Sequence, residues 1–510
     1  MHLTDLFEST VNRSSNQYAI FQGDKCYTFS EINEKANRAA SSMQRLGVGK
    51  QDRIMVLLKN RVENIVLFWA AQKIGAIYVP INLRMSLEYI QYCINDVEAK
   101  MIIFEEASRY LLKPDHLKHK PIIVSLQGIA DLSYEELVKN NSLSFNIPRK
   151  NADDLSTILY TSGTTGKPKG VPRSHKNEYA STMAHIVQNR YVVQDSTLGA
   201  VPLYHTMGLR SLLSMAILDG ECHTMLDFDP VEASEIISKQ RISCLYLLPT
   251  MYHDLIYRSK IENLDVSSVR VLTFAGAPMS KEIIEKCNEI FKPQEFINHY
   301  GSTEIYTFTT SNNVKNKPWS AGKPGIHQNI RLVAINKQGK SNPSDVVNDG
   351  EVGEIIVNIN SAEAFKGYWN RPDVTNHAIN GGWYYTGDLG KLDEKGDLTV
   401  VGRVDEMILS NSENIHPQEI ETFLSNHPLV KEAAVIGEKD ERFGQIVVAF
   451  IVPEKNNVTV QDLDQYCKES SSLSNDTRPR KYIFISEIPL NRAGKVDRLG
   501  LVQGRYAEVE

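Results

Sequence analysis

Eleven consecutive residues, Tyr160-Thr161-Ser162-Gly163-Thr164-Thr165-Gly166-Lys167-Pro168-Lys169-Gly170, bring together four small hydroxyls, three glycines and two lysines. Each type suits a polyphosphate. Glycine lets backbone approach an anion closely and adopt positive φ. Hydroxyls and backbone N–H groups donate to phosphate oxygens, and lysines add charge. The spacing is not that of the Walker loop, because Gly163 and Gly166 enclose only Thr164 and Thr165. Pro168 also follows Lys167 where that motif has Ser or Thr opening a helix, and proline turns its predecessor away from helix. The stretch predicts a mobile loop closing over ATP, and it disfavours a kinase or NTPase of the P-loop kind. A soluble linker is the plain alternative, but linkers rarely place this order of residues behind a buried strand.

Further stretches carry chemistry of their own. In Asn298-His299-Tyr300-Gly301-Ser302-Thr303-Glu304, Tyr300 offers a face for stacking on adenine. Thr303 can bond a phosphate oxygen. Glu304 is a hard ligand for Mg2+, which commonly binds through one or two carboxylates plus substrate phosphates. Alone, Gly-Ser-Thr-Glu is equally a capping sequence. In Trp383-Tyr384-Tyr385-Thr386-Gly387-Asp388-Leu389-Gly390, Asp388 can accept from both hydroxyls of a ribose, and Gly387 lets the ribose approach; alone, Thr386-Gly387-Asp388 is a β-turn. Arg403, in Gly402-Arg403-Val404-Asp405, is a fixed cation for ribose or α-phosphate. The small residues of Ala275-Gly276-Ala277-Pro278 permit close packing of a planar ring, or simply make a strand-to-helix turn. A lone Lys495 or a lone His205 reads by default as an ordinary surface or core residue.

The elements that must position these groups alternate. Thr28–Asn33 offers Ser30 as N-cap for an amphipathic helix over Asn33–Leu46 that ends at Gly47. Arg53–Leu58 reads as strand, Asn64–Gly75 as helix and Ala76–Ile81 as strand. This β-α-β order predicts a largely parallel, helix-covered sheet. Leu126–Lys150 is polar and reads as loop. Leu155–Leu159 is a short apolar run expected to be a buried strand leading into the phosphate loop. His175–Asn189 is expected to be helical, and Ser196–Val201 a strand that delivers His205 to its carboxyl end, where α/β sheets hold ligands. Val269–Phe274 and Asp397–Val401 read as strands.

At 510 residues the chain exceeds one hydrophobic core, so at least two domains are expected. Hydrophobic residues are 42% and charged residues 23%, and 56 basic against 62 acidic residues leave −6. That composition is globular and argues against a general nucleic-acid or anionic-membrane surface. The six cysteines (Cys26, Cys93, Cys222, Cys244, Cys287, Cys467) form no close pair and suggest neither zinc nor a disulfide framework. Met1–Asp5 lacks a basic-then-apolar leader. The most apolar window, Asn64–Ile81, contains Gln72 and Lys73 and reads as a buried helix running into a strand, not a membrane span. A cytoplasmic location is expected.

In order and wording these motifs resemble the adenylate-forming superfamily of acyl- and aryl-CoA ligases, luciferases and peptide-synthetase adenylation domains. Over Pro202–Gly208, Leu272–Met279 and Glu406–Pro417 the chain is most similar to aryl-CoA ligases of the 4-chlorobenzoate type. The resemblance implies an α/β protein. A large N-terminal domain of helix-covered sheets with a small β-barrel-like part, residues 1–404, would hold ATP and carboxylate. A small mobile α+β C-terminal lid, 405–510, would hinge at Asp405.

It further implies that Thr161, Ser162, Gly163, Thr164, Thr165, Gly166 and Lys169 hold phosphates. Gly276, Ala277, Pro278, Asn298, Tyr300, Gly301, Ser302, Thr303, Asp388, Arg403 and Lys495 would complete the nucleotide site, with Glu304 on Mg2+. His205, Tyr246, Ala275, Gly301, Tyr306 and Thr307 would line the carboxylate pocket, and Tyr306 and Thr307 suggest some polarity in the acid. Ser412, Phe443, Arg478, Arg480 and Lys481 would contact coenzyme A.

The implied reaction forms acyl-AMP and pyrophosphate with Lys495 present. The lid then turns, and the CoA thiol displaces AMP. Lys495, His205, Glu304 and Arg403 would be the catalytic groups. Asn411-Ser412, where the family usually has two adjacent glycines, and Asp476, where an aromatic is usual, also admit transfer to a separate carrier protein. A non-catalytic nucleotide-binding module remains a second class, against which Glu304, Asp388 and Lys495 together speak. An oligomer is left open.

Overall fold

The computed structural model describes the chain apart from residues 113–116, 129, 140–142, 144, 162–166, 337–338, 411–412, 441–443, 455–457, 471–472, 474–476, 491–494 and 510. The chain packs as two compact units, Met1–Ile330 with Asn358–Gly382, and Arg331–Val357 with Trp383–Glu510.

The first unit is built on two sheets. One has, in spatial order, strands Leu132–Ser133, Ile122–Ser125, Met101–Phe104, Arg53–Leu57, Ile77–Pro80, Leu155–Thr161 and Lys169–Ser174. Its pairs are parallel except the last, which is antiparallel. The other runs Lys323–Pro324, Thr309–Ser311, Glu295–Tyr300, Val271–Ala275, Cys244–Leu247, Ser196–Gly199, Glu221–Thr224, Tyr18–Gln22 and Lys25–Thr28. Its inner strands are parallel and its margins antiparallel. The expected β-α-β alternation is thus present, and helix Val62–Ile74 is buried along nearly its whole length, as a helix apolar all round must be.

Two local expectations differ. The first long helix runs Phe29–Arg45, with Thr28 as N-cap in place of Ser30. Thr28 and Glu31 complete a reciprocal capping box, which satisfies two orphan donors where Ser30 would satisfy one. Within the polar stretch 126–150, a second box between Ser133 and Glu136 opens a short helix, Tyr134–Val138.

In the second unit, Trp383–Leu392 pairs antiparallel with Leu398–Arg403 in a small sheet that also holds Gly353–Asn358 and Ile330–Val333. The barrel-like part expected from the sequence is this open sheet, which closes on nothing among the described strands. Beyond it lie a hairpin of Ile408–Ser410 with Glu413–Ile415 and a three-stranded sheet of Val430–Asp440, Gly444–Pro453 and Lys481–Phe484. Helices Pro417–Ser425 and Val460–Glu469 supply Ile420, Leu424, Leu463 and Cys467 to a core shared with Val435, Ala449 and Ile451.

Candidate active site

Ser162, Gly163, Thr164, Thr165 and Gly166 lie outside the described residues. Their flanks are well defined. Thr161 ends one strand, Lys169 begins the next, and the two are cross-strand partners in an antiparallel ladder that continues through Tyr160 and Gly170. The phosphate loop therefore joins two strands, not a strand and a helix, as Pro168 predicted. A side chain at Gly170 would press on Ile158 and Trp369, so glycine keeps this ladder flat against its neighbours. The Lys169 ammonium stands 5.3 Å from the ring centroid of Tyr368.

The second motif turns sharply off the carboxyl end of Glu295–Tyr300. A Cβ at Gly301 would collide with the backbone carbonyl of Tyr306, so no other residue fits this turn. Ser302 N–H donates to Ile305 O at 3.0 Å and Ile305 N–H to the Ser302 hydroxyl at 3.3 Å, closing the turn on itself. Glu304 is buried, and its Oε1 accepts from the Tyr368 hydroxyl at 2.6 Å. Its backbone carbonyl accepts from Phe365 N–H. Asn298 donates to Ser320 O, and the Tyr300 ring packs edge-on against Phe308.

Beneath this turn lies a charged cluster that the sequence reading did not single out. Arg173 is fully buried and spends all three guanidinium nitrogens: Nε on Glu178, Nη1 on the carbonyls of Thr303 and Glu363, and Nη2 on Ser181. Arg210 donates to the carbonyl and the other carboxylate oxygen of the same Glu178. Burial pushes Arg173 down to about 10. Burial, with Arg173 alongside, takes Arg210 to about 9, so both stay charged at neutral pH. The only sequence hint was arginines within otherwise apolar or small-residue stretches. Tyr368 had a fainter one, the glycine just before it.

Of the residues expected to line the carboxylate pocket, Tyr246, Ala275 and Tyr306 pack together with Val201 and Met207 in one apolar cluster. The Tyr306 hydroxyl lies 2.8 Å from that of Tyr246 and 2.9 Å from His185 Nδ1. Thr307 is buried with its hydroxyl unpartnered. His205 is the N-cap residue of helix Thr206–Ile217, two residues before Met207. A Cβ at Gly208 would strike the carbonyl of Pro202, which explains the small residue in that helix's first turn. His205 is exposed, and desolvation followed by the charge of Arg84 lowers its imidazole to about 4. Gly276 takes a φ of 89° just past its strand, with Ala277 and Pro278 exposed beside it.

In the second unit, Asp388 and Arg403 are cross-strand partners, with Arg403 Nη1 donating to Asp388 Oδ1 at 2.8 Å and Nε to Asp405 at 2.9 Å. Burial opposes the charge on Arg403, but the two carboxylates outweigh it and raise its pKa. Gly387, at a φ of 74°, faces the guanidinium where a Cβ would crowd Nη2. Lys495 is exposed next to Val496, which bridges Leu490. Arg478 is paired with Asp464 and Lys481 with Glu438, while Arg480 is exposed and gives its backbone N–H to Val447. Ser412 and Phe443 lie outside the described residues.

No group of three or more His, Cys, Asp or Glu side chains able to cage a metal occurs among the described residues. Glu304 instead offers a single hard carboxylate, the donor that suits Mg2+ shared with phosphate oxygens. No described helix is long and apolar enough to cross a membrane.

The family model described as AMP-binding enzyme matches residues 7–369, and that described as AMP-binding enzyme C-terminal domain matches 419–495. A long-chain-fatty-acid–CoA ligase of Mycobacterium tuberculosis is 30% identical over 96% of this chain and 95% of its own. A 2-succinylbenzoate–CoA ligase of a Geobacillus species is 31% identical over 95% and 94%. The o-succinylbenzoate CoA synthetase of Bacillus subtilis, solved with its acyl-adenylate intermediate, superposes with a TM-score of 0.85 at 27% identity, covering 99% of both chains.

Proposed function

The chain belongs to the AMP-binding enzyme family, and on that premise we propose how its own residues divide the work. It is an AMP-forming acid–thiol ligase: carboxylate and ATP give acyl-adenylate and pyrophosphate, and the thiol of coenzyme A then displaces AMP. Mg2+ accompanies the ATP and neutralises the charge that would otherwise keep a carboxylate from a triphosphate.

The observation that carries the assignment is Glu304, a buried carboxylate at a sheet's carboxyl end, held by the Tyr368 hydroxyl and by Arg173 through the Thr303 carbonyl. Glu304 holds the metal. Thr161, Lys169 and the segment 162–166 bind phosphates. Tyr300, with Asn298, Gly301, Ser302 and Gly276–Pro278, takes the adenine side. Asp388 accepts from the ribose, and Arg403, already fixed by Asp388 and Asp405, orients it. Lys495 lends its charge to the carboxylate and α-phosphate oxygens as the acyl-phosphate bond forms. His205 stays neutral and guards the acid's entry. Residues 405–510 move as a lid about Asp405 between the half-reactions, and Ser412, Phe443, Arg478, Arg480 and Lys481 meet coenzyme A.

Acid-dependent exchange of labelled pyrophosphate into ATP tests the first half-reaction, and AMP release on adding coenzyme A tests the second. Exchange without CoA-dependent release would favour a separate carrier protein, the reading that Asn411-Ser412 and Asp476 support. A cytoplasmic setting suits six cysteines that stand as free thiols.

A further inference from the structure

The wall behind the acid pocket is polar in an unusual way. His185 and His299 are both buried, and both bond Asn189. The hydrogen bonds assign their tautomers. Asn189 Nδ2 donates to the His185 carbonyl, and Asn189 Oδ1 accepts from Thr273, so the amide orientation is fixed. Nδ2 has only hydrogens to offer, so His185 Nδ1, 2.9 Å away, is a lone pair and Nε2 carries the proton. Oδ1 has only lone pairs, so His299 Nε2, 3.3 Å away, carries the proton and Nδ1 is a lone pair. His185 Nε2 and His299 Nδ1 are among the buried atoms with no partner. One is a donor and the other an acceptor.

Both rings pack against the two tyrosines proposed to line the acid pocket. His185 stands 4.8 Å from Tyr246 and 5.9 Å from Tyr306, His299 stands 6.0 and 6.2 Å from the same two rings, and the two imidazoles are 5.4 Å apart. Burial lowers both, His299 to about 3, so neither brings a charge to the wall. Arg210 lies behind Tyr306, its charge met by Glu178.

We propose that the acid activated by this enzyme is short and carries a hydroxyl remote from its carboxyl, which accepts from His185 Nε2 and donates to His299 Nδ1. A hydroxyl is the smallest group that does both. With two tyrosine hydroxyls and two imidazoles this wall is polar, a poor match for a long alkyl chain. The inference rests on the ligase reading above and narrows it.

The test is pyrophosphate exchange with matched acids: benzoate against meta- and para-hydroxybenzoate, pentanoate against its terminal hydroxy acid, and decanoate. One hydroxylated acid is expected to exceed its unsubstituted partner by on the order of 10²-fold or more in kcat/KM. That ratio is expected to fall at least about tenfold in His185→Phe, with His299→Leu as the second variant should the first not fold. Equal rates within each pair would overturn the inference and leave the nitrogens to an internal water. A preference for decanoate, or for a dicarboxylic acid drawn to the unspent Nε of Arg210, would overturn it while leaving the ligase intact. Exchange with no acid at all would overturn both.

Discussion

The hydroxyl of Tyr368 donates to Oε1 of Glu304 at 2.6 Å, and the ring of the same tyrosine faces the ammonium of Lys169 at 5.3 Å. One side chain thus touches both the proposed metal ligand and the cation that opens the strand after the phosphate loop. Tyr368→Phe keeps the ring but leaves the Glu304 oxygen short of a donor. Its kcat/KM for MgATP in pyrophosphate exchange is expected to fall roughly tenfold, the worth of one hydrogen bond to a charged group. Glu304→Gln should lose on the order of 10²-fold or more, with a steeper Mg2+ dependence than wild type. Unchanged Mg2+ titrations in both variants would remove Glu304 from the metal.

Lys495 is expected to matter for one half-reaction only. In Lys495→Ala, formation of acyl-adenylate should drop by on the order of 10²–10³-fold. Thioester formation from chemically synthesised acyl-adenylate and coenzyme A should stay within a few-fold of wild type. Equal losses in both assays would show that the lysine acts on the fold or on coenzyme A instead.

Arg173 couples the nucleotide turn to the core. Replacing it with methionine strips Thr303, Glu363, Ser181 and Glu178 of a buried partner at once, which should cost about 3–5 kcal/mol in urea unfolding. Lysine is not expected to rescue it, because a single ammonium cannot span contacts now made by Nε, Nη1 and Nη2. A melt of Arg173→Lys indistinguishable from wild type would contradict this account.

Acid should weaken the first unit before it touches the carboxylates. His2 sits at about 4 and His299 at about 3, each lowered chiefly by burial from an ordinary 6.5. The unfolded chain therefore binds more protons than the folded one below about pH 6.5. Stability from these groups is fully present above that value. It drains as pH falls toward 4 and then 3, by up to about 1.4 kcal/mol per unit for a fully buried imidazole. Urea midpoints measured from pH 7.5 down to 4.5 should fall steadily, and less steeply in His299→Gln.

The motifs proposed to bind ligands are legible because their chemistry is local. Gly301 betrays a turn no Cβ could enter, and the Gly163–Gly166 spacing together with Pro168 separated this phosphate loop from a strand-to-helix nest. Asp388 and Arg403, 15 residues apart, become cross-strand partners through a hairpin whose second strand, expected over Asp397–Val401, runs on to include Arg403. What stayed hidden depends on distance in the chain. Tyr368 meets Glu304 across 64 residues, and Arg173 meets Thr303 across 130. Periodicity marks where a side chain is buried but not which remote carboxylate awaits it. The true cap of the first long helix was missed for a smaller reason: Ser30 and Thr28 are both good caps, and only the reciprocal bond with Glu31 decides between them.

The shared hydroxyl contact between Tyr246 and Tyr306 bears on how this pocket could be remodelled for other acids. Changing Tyr306 alone to phenylalanine strands the Tyr246 oxygen in apolar surroundings, whereas changing Tyr246 leaves the Tyr306 hydroxyl its contact with His185 Nδ1. Directed evolution toward bulkier acids should therefore recover changes at position 306 only in chains already altered at 246, or altered at both together.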